Sequence, residues 1–339
     1  MTIQLLICDD SGLARKQLAR SLPDGLDAEI TFATHGLEAM EVIRTRPIDL
    51  MFLDLTMPVM DGYEVLEAIQ QENHQLDVVV VSGDIQIKAQ NRVKALGARD
   101  FLKKPCSTEL LEDLLPTIGY PLTEYDIESP KEILLVEKTV ETAADIDPIE
   151  RISEVANVAM GRAASLLADL LGVFVVLPLP MVNEVEPSEL QMTISAIGND
   201  DAVSAVCQGF IGSGISGEAL LILHDTSIDD IAKLMRQQDS NVEENHLEIL
   251  MDLANILISA SLKGIEEQLD IRFSQDHPSV LGEQESIDKL LARGQQQWQK
   301  TLAIEYDYRI EEHDIQCTLM LLFSENAIPV LHRRTAYLG

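Results

Sequence analysis

The sequence predicts an α/β fold in two parts. The first is an N-terminal doubly wound domain on a five-stranded parallel sheet. The second is a C-terminal α+β domain built as an internal pseudo-repeat, with an antiparallel sheet and two long helices. Three observations carry this. Short apolar runs alternate with helical patterns five times up to about residue 120. Glu150, Glu154, Asn157 and Pro180 recur at matching spacing as Glu248, Asp252, Asn255 and Pro278. The chain has 339 residues, 46% of them apolar, which exceeds one ordinary domain and suffices for two cores.

The first five apolar runs are IQLLIC, AEITFA, DLMFLDL, DVVVVSG and DFLKKP, separated by segments such as SGLARKQLARSL and MDGYEVLEAIQQ. Strands that alternate with helices form a parallel sheet covered on both faces, and the unbroken run Val78 to Val81 fits a central strand with no wet side. Residues 121–145 read as a linker with polar, proline-marked ends, in which EILLVEKTV is a docking segment. Asp145 or Asp147, followed by Pro148, caps the next helix.

In that helix Ile152, Val155, Ala159, Ala163, Leu166, Leu167 and Leu170 recur at three- and four-residue spacing and form the core stripe. Glu150, Glu154 and Asn157 fall off the stripe and are expected to face water. VFVVLPLPMV, LQMTISAIG, AVSAVCQGF and ISGEALLILH follow as strands, with the glycines at 209, 212, 214 and 217 serving a hairpin rather than a phosphate loop. The second copy runs through helix HLEILMDLANILISASLKGIEEQL, strand IRFSQDHPSV, helix ESIDKLLARGQQQW and the paired strands TLAIEYDYRI and IQCTLMLLFS. The two long helices are expected on one face of the sheet. Pro180 and Pro278 end strands, and Trp298 is structural.

A net charge of -32 excludes nucleic acid and anionic membrane as partners, because both need lysine and arginine against phosphate. The four cysteines lie far apart without a C-x-x-C pair, which suits a reduced cytoplasmic protein lacking a zinc site. The N-terminus has no basic segment ahead of an apolar one, and no apolar run is long enough to span a bilayer, so neither a signal peptide nor a membrane span is expected.

In doubly wound sheets ligands bind at the carboxyl ends of the strands. Those ends carry Asp9 and Asp10, Asp54, Ser82, and Lys104 with Pro105. Three converging carboxylates repel one another unless a hard cation lies between them, and all-oxygen ligation suits Mg2+. With CDDS at 8–11, LDLTMPVMDG at 53–62, VVSG at 80–83 and FLKKP at 101–105, the first 120 residues resemble the receiver domain of response regulators, a flavodoxin-like, CheY-like fold. The resemblance implies Asp54 as phospho-acceptor and Asp9, Asp10, Asp54 and the Thr56 carbonyl as Mg2+ ligands. It implies Ser82 and Lys104 as phosphoryl sensors, Phe101 as the aromatic switch, and a sensor histidine kinase as partner. Thr56 stands where rapidly self-hydrolysing receivers often carry an amide, which leaves the acyl-phosphate lifetime open.

Of the nine asparagines in the chain, Asn157 and Asn255 alone have an acid three residues earlier, so each copy sets a carboxylate beside a carboxamide on one helix face. On this doubled acid-x3-acid-x2-Asn-x22-Pro pattern, residues 146–339 resemble the CheC, CheX and FliY chemotaxis phosphatases. That resemblance implies that Asn157 and Asn255 orient a water for attack on a phospho-aspartate, with Glu154 and Asp252 pairing with the bound receiver's lysine. The family commonly has aspartate or serine where this chain has Glu150 and Glu248, and Asp252 is one methylene shorter than the usual glutamate, which favours the first half-site.

A phosphorylated receiver is then the substrate, either separate or the chain's own, since a linker raises the effective concentration of an attached domain. The alternative is a non-catalytic adaptor that binds receivers or a CheD-like deamidase. Both readings are compatible with a homodimer.

Overall fold

The computed structural model describes residues 2–122, 146–186, 189, 203–238, 246–281 and 300–338. The expected docking segment EILLVEKTV, the strand LQMTISAIG, the helix ESIDKLLARGQQQW and Trp298 lie outside the described residues. The chain divides into two compact units, Met1–Glu154 with Leu338–Gly339, and Val155–Tyr337.

In the first unit β1 (Ile3–Cys8), α1 (Gly12–Ser21), β2 (Ala28–Ala33), α2 (Gly36–Thr45), β3 (Leu50–Leu53), α3 (Gly62–Gln71), β4 (Asp77–Ser82), α4 (Ile87–Ala95), β5 (Asp100–Lys103) and α5 (Thr108–Thr117) alternate strictly. The sheet is parallel in the order β2-β1-β3-β4-β5. The central strand is therefore β3, and β4 is interior beside it. Along β4 successive side chains point to opposite faces, so Val78 and Val80 enter one core with Met40 and Val65 while Val79 and Val81 enter the other with Leu111 and Leu115. The apolar run reflects burial on both faces.

Local signals set the helix starts. Ser11 accepts from the Ala14 N–H, Asp61 and Glu64 form a reciprocal capping box, and Ser107 caps α5. Gly62 is needed because a Cβ there would lie 2.3 Å from the Asp54 carbonyl oxygen. This close approach lets α3 begin directly beneath the end of β3.

Helix α6 (Pro148–Leu171) is capped by Asp147, which accepts from the Ile149 N–H at 2.8 Å. It starts in the first unit, and from Val155 onward it belongs to the second. The second unit continues with β6 (Val175–Val176), β7 (Met181–Val185), β8 (Val203–Gly212), β9 (Ile215–His224), α7 (Asp225–Gln238), α8 (His246–Leu269), β10 (Ser274–Gln275), β11 (Ser279–Leu281), β12 (Thr301–Ile310), β13 (Gln316–Ser324) and α9 (Ile328–Thr335).

The repeat is visible in this order. Helices α6 and α8 both have 24 residues, β8 and β12 both have 10, and α8 and β12 are displaced from α6 and β8 by the distance separating Asn157 from Asn255. The antiparallel sheet is symmetric about the β9–β13 pair. Strands β10 and β11 of the second copy join β8 of the first, and β6 and β7 of the first join β12 of the second. Pro180 and Pro278 occupy equivalent breaks, one between β6 and β7 and the other between β10 and β11, where a residue without an N–H interrupts an edge. The copies thus exchange edge strands.

Helices α6 and α8 meet through small residues. A Cβ on Gly264 would lie 2.7 Å from the Cα of Ala159, and Gln268 Nε2 donates to the Val155 carbonyl at 2.9 Å. Two expectations for α6 are corrected. Leu166, placed on the core stripe, is 46% exposed, and Glu154 and Asn157, placed toward water, are each 7% exposed. Ala156, Val158, Met160 and Ala164 are also buried, so the middle of α6 is enclosed on more than one stripe.

Candidate functional site

Asp9 and Asp10 follow β1, Asp54 follows β3, Ser82 closes β4 and Lys104 follows β5, so neighbouring parallel strands deliver all five to one end of the sheet. The Asp54 N–H donates to the Cys8 carbonyl at 2.9 Å and the Asp9 N–H to the Ala33 carbonyl at 3.1 Å, which continues the ladder one residue beyond the strands. One oxygen from each of Asp9, Asp10 and Asp54 lies within 4.8 Å of the others. Lys104, joined to Pro105 by a cis peptide bond, sets its Nζ 2.7 Å from Asp9 and 3.3 Å from Asp54. Ser82 is fully buried, and its Oγ accepts from the Asp84 N–H at 3.1 Å, leaving its own proton free to donate. Thr56 is two residues past Asp54, half-buried, and Phe101 lies on β5 packed against the Val65 and Val80 core.

Charge is poorly balanced here. Burial is the largest influence on Asp54 and raises its carboxyl well above the usual range, with Lys104 opposing and Asp9, Glu154 and Asp10 adding repulsion. Burial and the Asp9 charge raise Asp10 to about 7. On Lys104 burial works against the ammonium, but Asp54, Asp9 and Glu154 together outweigh it and hold the lysine charged. One Asp54 oxygen, Oδ2, is buried and faces Lys104 Nζ at 3.3 Å without hydrogen-bond geometry, while Oδ1 accepts from the Leu55 N–H at 2.8 Å. Three clustered carboxylates with an unsatisfied buried oxygen fit a hard divalent cation held by oxygen ligands, as Mg2+ requires.

Two participants, Arg15 and Asp84, were not anticipated. Arg15, one turn into α1, donates through Nη1 to the carbonyls of Asp9 at 2.5 Å and Asp10 at 3.0 Å. Asp84 is buried, and burial raises its carboxyl to about 6. The first unit also includes Glu150 and Glu154. The Glu150 Oε1 accepts from the Gly12 N–H at 2.6 Å, and the Glu154 Oε1 lies 3.3 Å from Lys104 Nζ. The four-residue spacing of these acids on a helix was the available signal; their receiver-side partners are remote in sequence.

In the second unit Asp252 and Asn255 are exposed on α8 with Glu248 one turn earlier, as expected of an outward acid-amide pair. Next on the same face is Ser259, whose hydroxyl donates to Gln275 Oε1 at 2.9 Å. The two copies of the motif therefore differ in environment: Glu154 and Asn157 are enclosed, whereas Asp252 and Asn255 are open. Among the described residues no helix is long and apolar enough to cross a membrane.

Residues 5–115 match the response regulator receiver domain family. A protein-glutamate methylesterase/protein-glutamine glutaminase of Halalkalibacterium halodurans is 38% identical over 106 residues, covering 30% of this chain and 30% of that protein. Response regulator MprA of Mycobacterium ulcerans is 30% identical over 152 residues, covering 44% of this chain and 63% of that protein. The chain thus spans less than two thirds of either relative. Among solved structures, chemotaxis response regulator CheY4 of Vibrio cholerae is 26% identical with a TM-score of 0.33, covering 35% of this chain and 99% of that one. FliY of Thermotoga maritima is 18% identical with a TM-score of 0.40, covering 59% of this chain and 100% of that one. Residues 5–115 form a response regulator receiver domain.

Proposed function

We propose that this protein is a cytoplasmic two-component response regulator whose receiver takes a phosphoryl group on Asp54 from a sensor histidine kinase, and whose C-terminal region hydrolyses the phospho-aspartate of a receiver. In the receiver Asp9, Asp10, Asp54 and the Thr56 carbonyl would hold Mg2+, which supplies charge neutralisation for phosphoryl transfer. The Ser82 hydroxyl and Lys104 ammonium bind the phosphoryl oxygens, and Phe101 is the aromatic switch residue.

In the phosphatase, Asn157 or Asn255 holds a water in line with phosphorus. Its carboxamide accepts from the water and donates to the phosphoryl oxygen without ionising. Glu154 or Asp252 pairs with the receiver lysine and sets the register. The substrate supplies lysine and cation, so the phosphatase needs no nucleophile or metal of its own.

The Glu154–Lys104 pair at 3.3 Å carries this reading, because it joins an acid of the motif to a receiver's phosphoryl-sensing lysine. The exposed Asp252 and Asn255 support a second half-site that a separate receiver can reach. The test uses the full chain carrying Asp54→Asn, so that it takes up no phosphate, mixed with a phosphorylated CheY-like receiver. Phosphate loss should exceed the spontaneous rate, fall with Asn157→Ala or Asn255→Ala, and return to the spontaneous rate in the double variant. Binding without acceleration would instead establish an adaptor for receivers or a CheD-like partner.

A further inference from the structure

The two copies of the motif differ in what lies one turn beyond the asparagine. We infer that Gln275, oriented by Ser259, is the residue by which the second half-site recognises a separate phosphorylated receiver: its side-chain NH2 donates to an acceptor beside that receiver's phospho-aspartate. This rests on the reading of Asp252 and Asn255 as a receiver-binding half-site.

Ser259 follows Asn255 by four residues and so stands one turn along the same face of α8. Its hydroxyl donates to Gln275 Oε1 at 2.9 Å, which fixes the end of a long, exposed side chain of β10 against the helix. With the oxygen engaged, the two N–H donors of the amide are left for a ligand. The main chain of this segment is held from the other side. Gln275 pairs with Phe210 of β8, and the Asp276 N–H donates to the Gly209 carbonyl at 2.9 Å. Gln208, itself 5% exposed, donates through Nε2 to the Asp276 carbonyl at 2.8 Å. Gln275 therefore projects from a clamped backbone, with less freedom to lose when a partner arrives.

The first copy has none of these groups. At the same displacement along the chain Ser259, Gln275 and Asp276 correspond to Gly161, Leu177 and Pro178. Glycine has no hydroxyl, leucine has no donor, and proline has no N–H for the strand, so the ladder of β6 with β12 stops at Val176. The second half-site thus holds a fixed neutral donor where the first has an apolar side chain. That donor suits a receiver. A phosphorylation site such as the one formed by Asp9, Asp10, Asp54 and Lys104 presents carboxylates and a phosphoryl group around one lysine, and all of these but the lysine are acceptors. When Asp252 takes the lysine, the following turns of α8 are left to meet the acceptors. Asp252 also reaches one methylene less far than a glutamate, so the receiver it pairs with lies closer to α8 and to Gln275.

The experiment uses the full chain carrying Asp54→Asn and Asn157→Ala, so that the second half-site acts alone on a phosphorylated CheY-like receiver. Phosphate release is measured against receiver concentration, and binding is measured by anisotropy with the labelled receiver loaded with beryllofluoride, a stable phosphoryl mimic. Gln275→Leu, which installs the residue of the first copy, should raise KM and Kd about tenfold, the scale of one hydrogen bond to a charged acceptor, and lower kcat far less. Gln275→Glu keeps an acceptor for Ser259 and loses the donors, so it should weaken binding at least as much. Normal binding by Gln275→Glu would mean that Gln275 only braces α8, and overturns the donor role. Ser259→Ala should raise KM about threefold by releasing the amide. KM and Kd within about twofold of the parent for Gln275→Leu would overturn the inference, as would a receiver that does not bind the parent. A parent that binds the receiver without speeding phosphate loss removes the phosphatase reading alone. A tenfold weaker Kd in Gln275→Leu then still supports recognition by Gln275, and an unchanged one overturns it.

Discussion

Replacing Asp10 by asparagine should make the metal-free protein more stable at neutral pH, not less. The Asp10 carboxyl lies at about 7 in the folded chain against an ordinary 3.8, because it is buried and faces Asp9. The folded state therefore holds this proton more tightly than the unfolded state. Between pH of about 4 and 7 the native chain binds more protons, so the Asp10 contribution falls as pH rises through that window. At about 1.36 kcal/mol per pKa unit, the loss by pH 8 approaches roughly 4 kcal/mol. Asp10→Asn cannot ionise and escapes it. Urea unfolding in EDTA should show parent and variant nearly equal at pH 4.5, and the variant more stable at pH 8 by up to that amount. Mg2+ should narrow the gap by neutralising the cluster: at a hundredfold excess over Kd a ligand specific to the folded state adds about 2.7 kcal/mol, which the parent gains and the variant loses in large part. If parent and variant lose stability in parallel from pH 5 to 8, or gain equally from Mg2+, the account of the acidic cluster is wrong.

Two further substitutions test the second unit. Gly264→Ala would ordinarily gain about 1 kcal/mol in helix propensity. A Cβ 2.7 Å from the Ala159 Cα and 2.8 Å from its Cβ instead forces α6 and α8 apart at about 1–3 kcal/mol, so unfolding should show net destabilisation, which Ala159→Gly relieves only in part because the backbone clash stays. Tyr306 is fully buried and its hydroxyl has no hydrogen-bond partner among the described residues, so Tyr306→Phe should leave stability unchanged or raise it by up to about 1 kcal/mol in a denaturant titration.

The parallel sheet was legible because its evidence is local. Apolar runs of strand length, the Ser11, Asp61 and Ser107 caps, and strand-end acids and lysine all act over a few residues, and the doubly wound topology then brings Asp9, Asp10, Asp54, Ser82 and Lys104 to one edge. The repeat was legible for a similar reason, since its acids, asparagines and prolines recur at one spacing. The symmetric breaks at Pro180 and Pro278 follow from that spacing.

Other features needed the tertiary structure. Periodicity assigns a polar residue to the side of a helix away from its apolar stripe, and by that rule Glu154 and Asn157 faced water. Burial depends on what packs against that side, and the partners of Glu150 and Glu154, Gly12 and Lys104, are too remote in sequence for any local pattern to include. The exchange of edge strands between the copies is equally non-local, because β6 pairs with β12 and β10 with β8 across most of the unit. The sequence by itself determined that the strand-end acids and lysine gather at one edge of the parallel sheet and that the acid-amide motif occurs twice. Only the fold decided that one copy is enclosed and the other open, because enclosure is a property of the surfaces that meet.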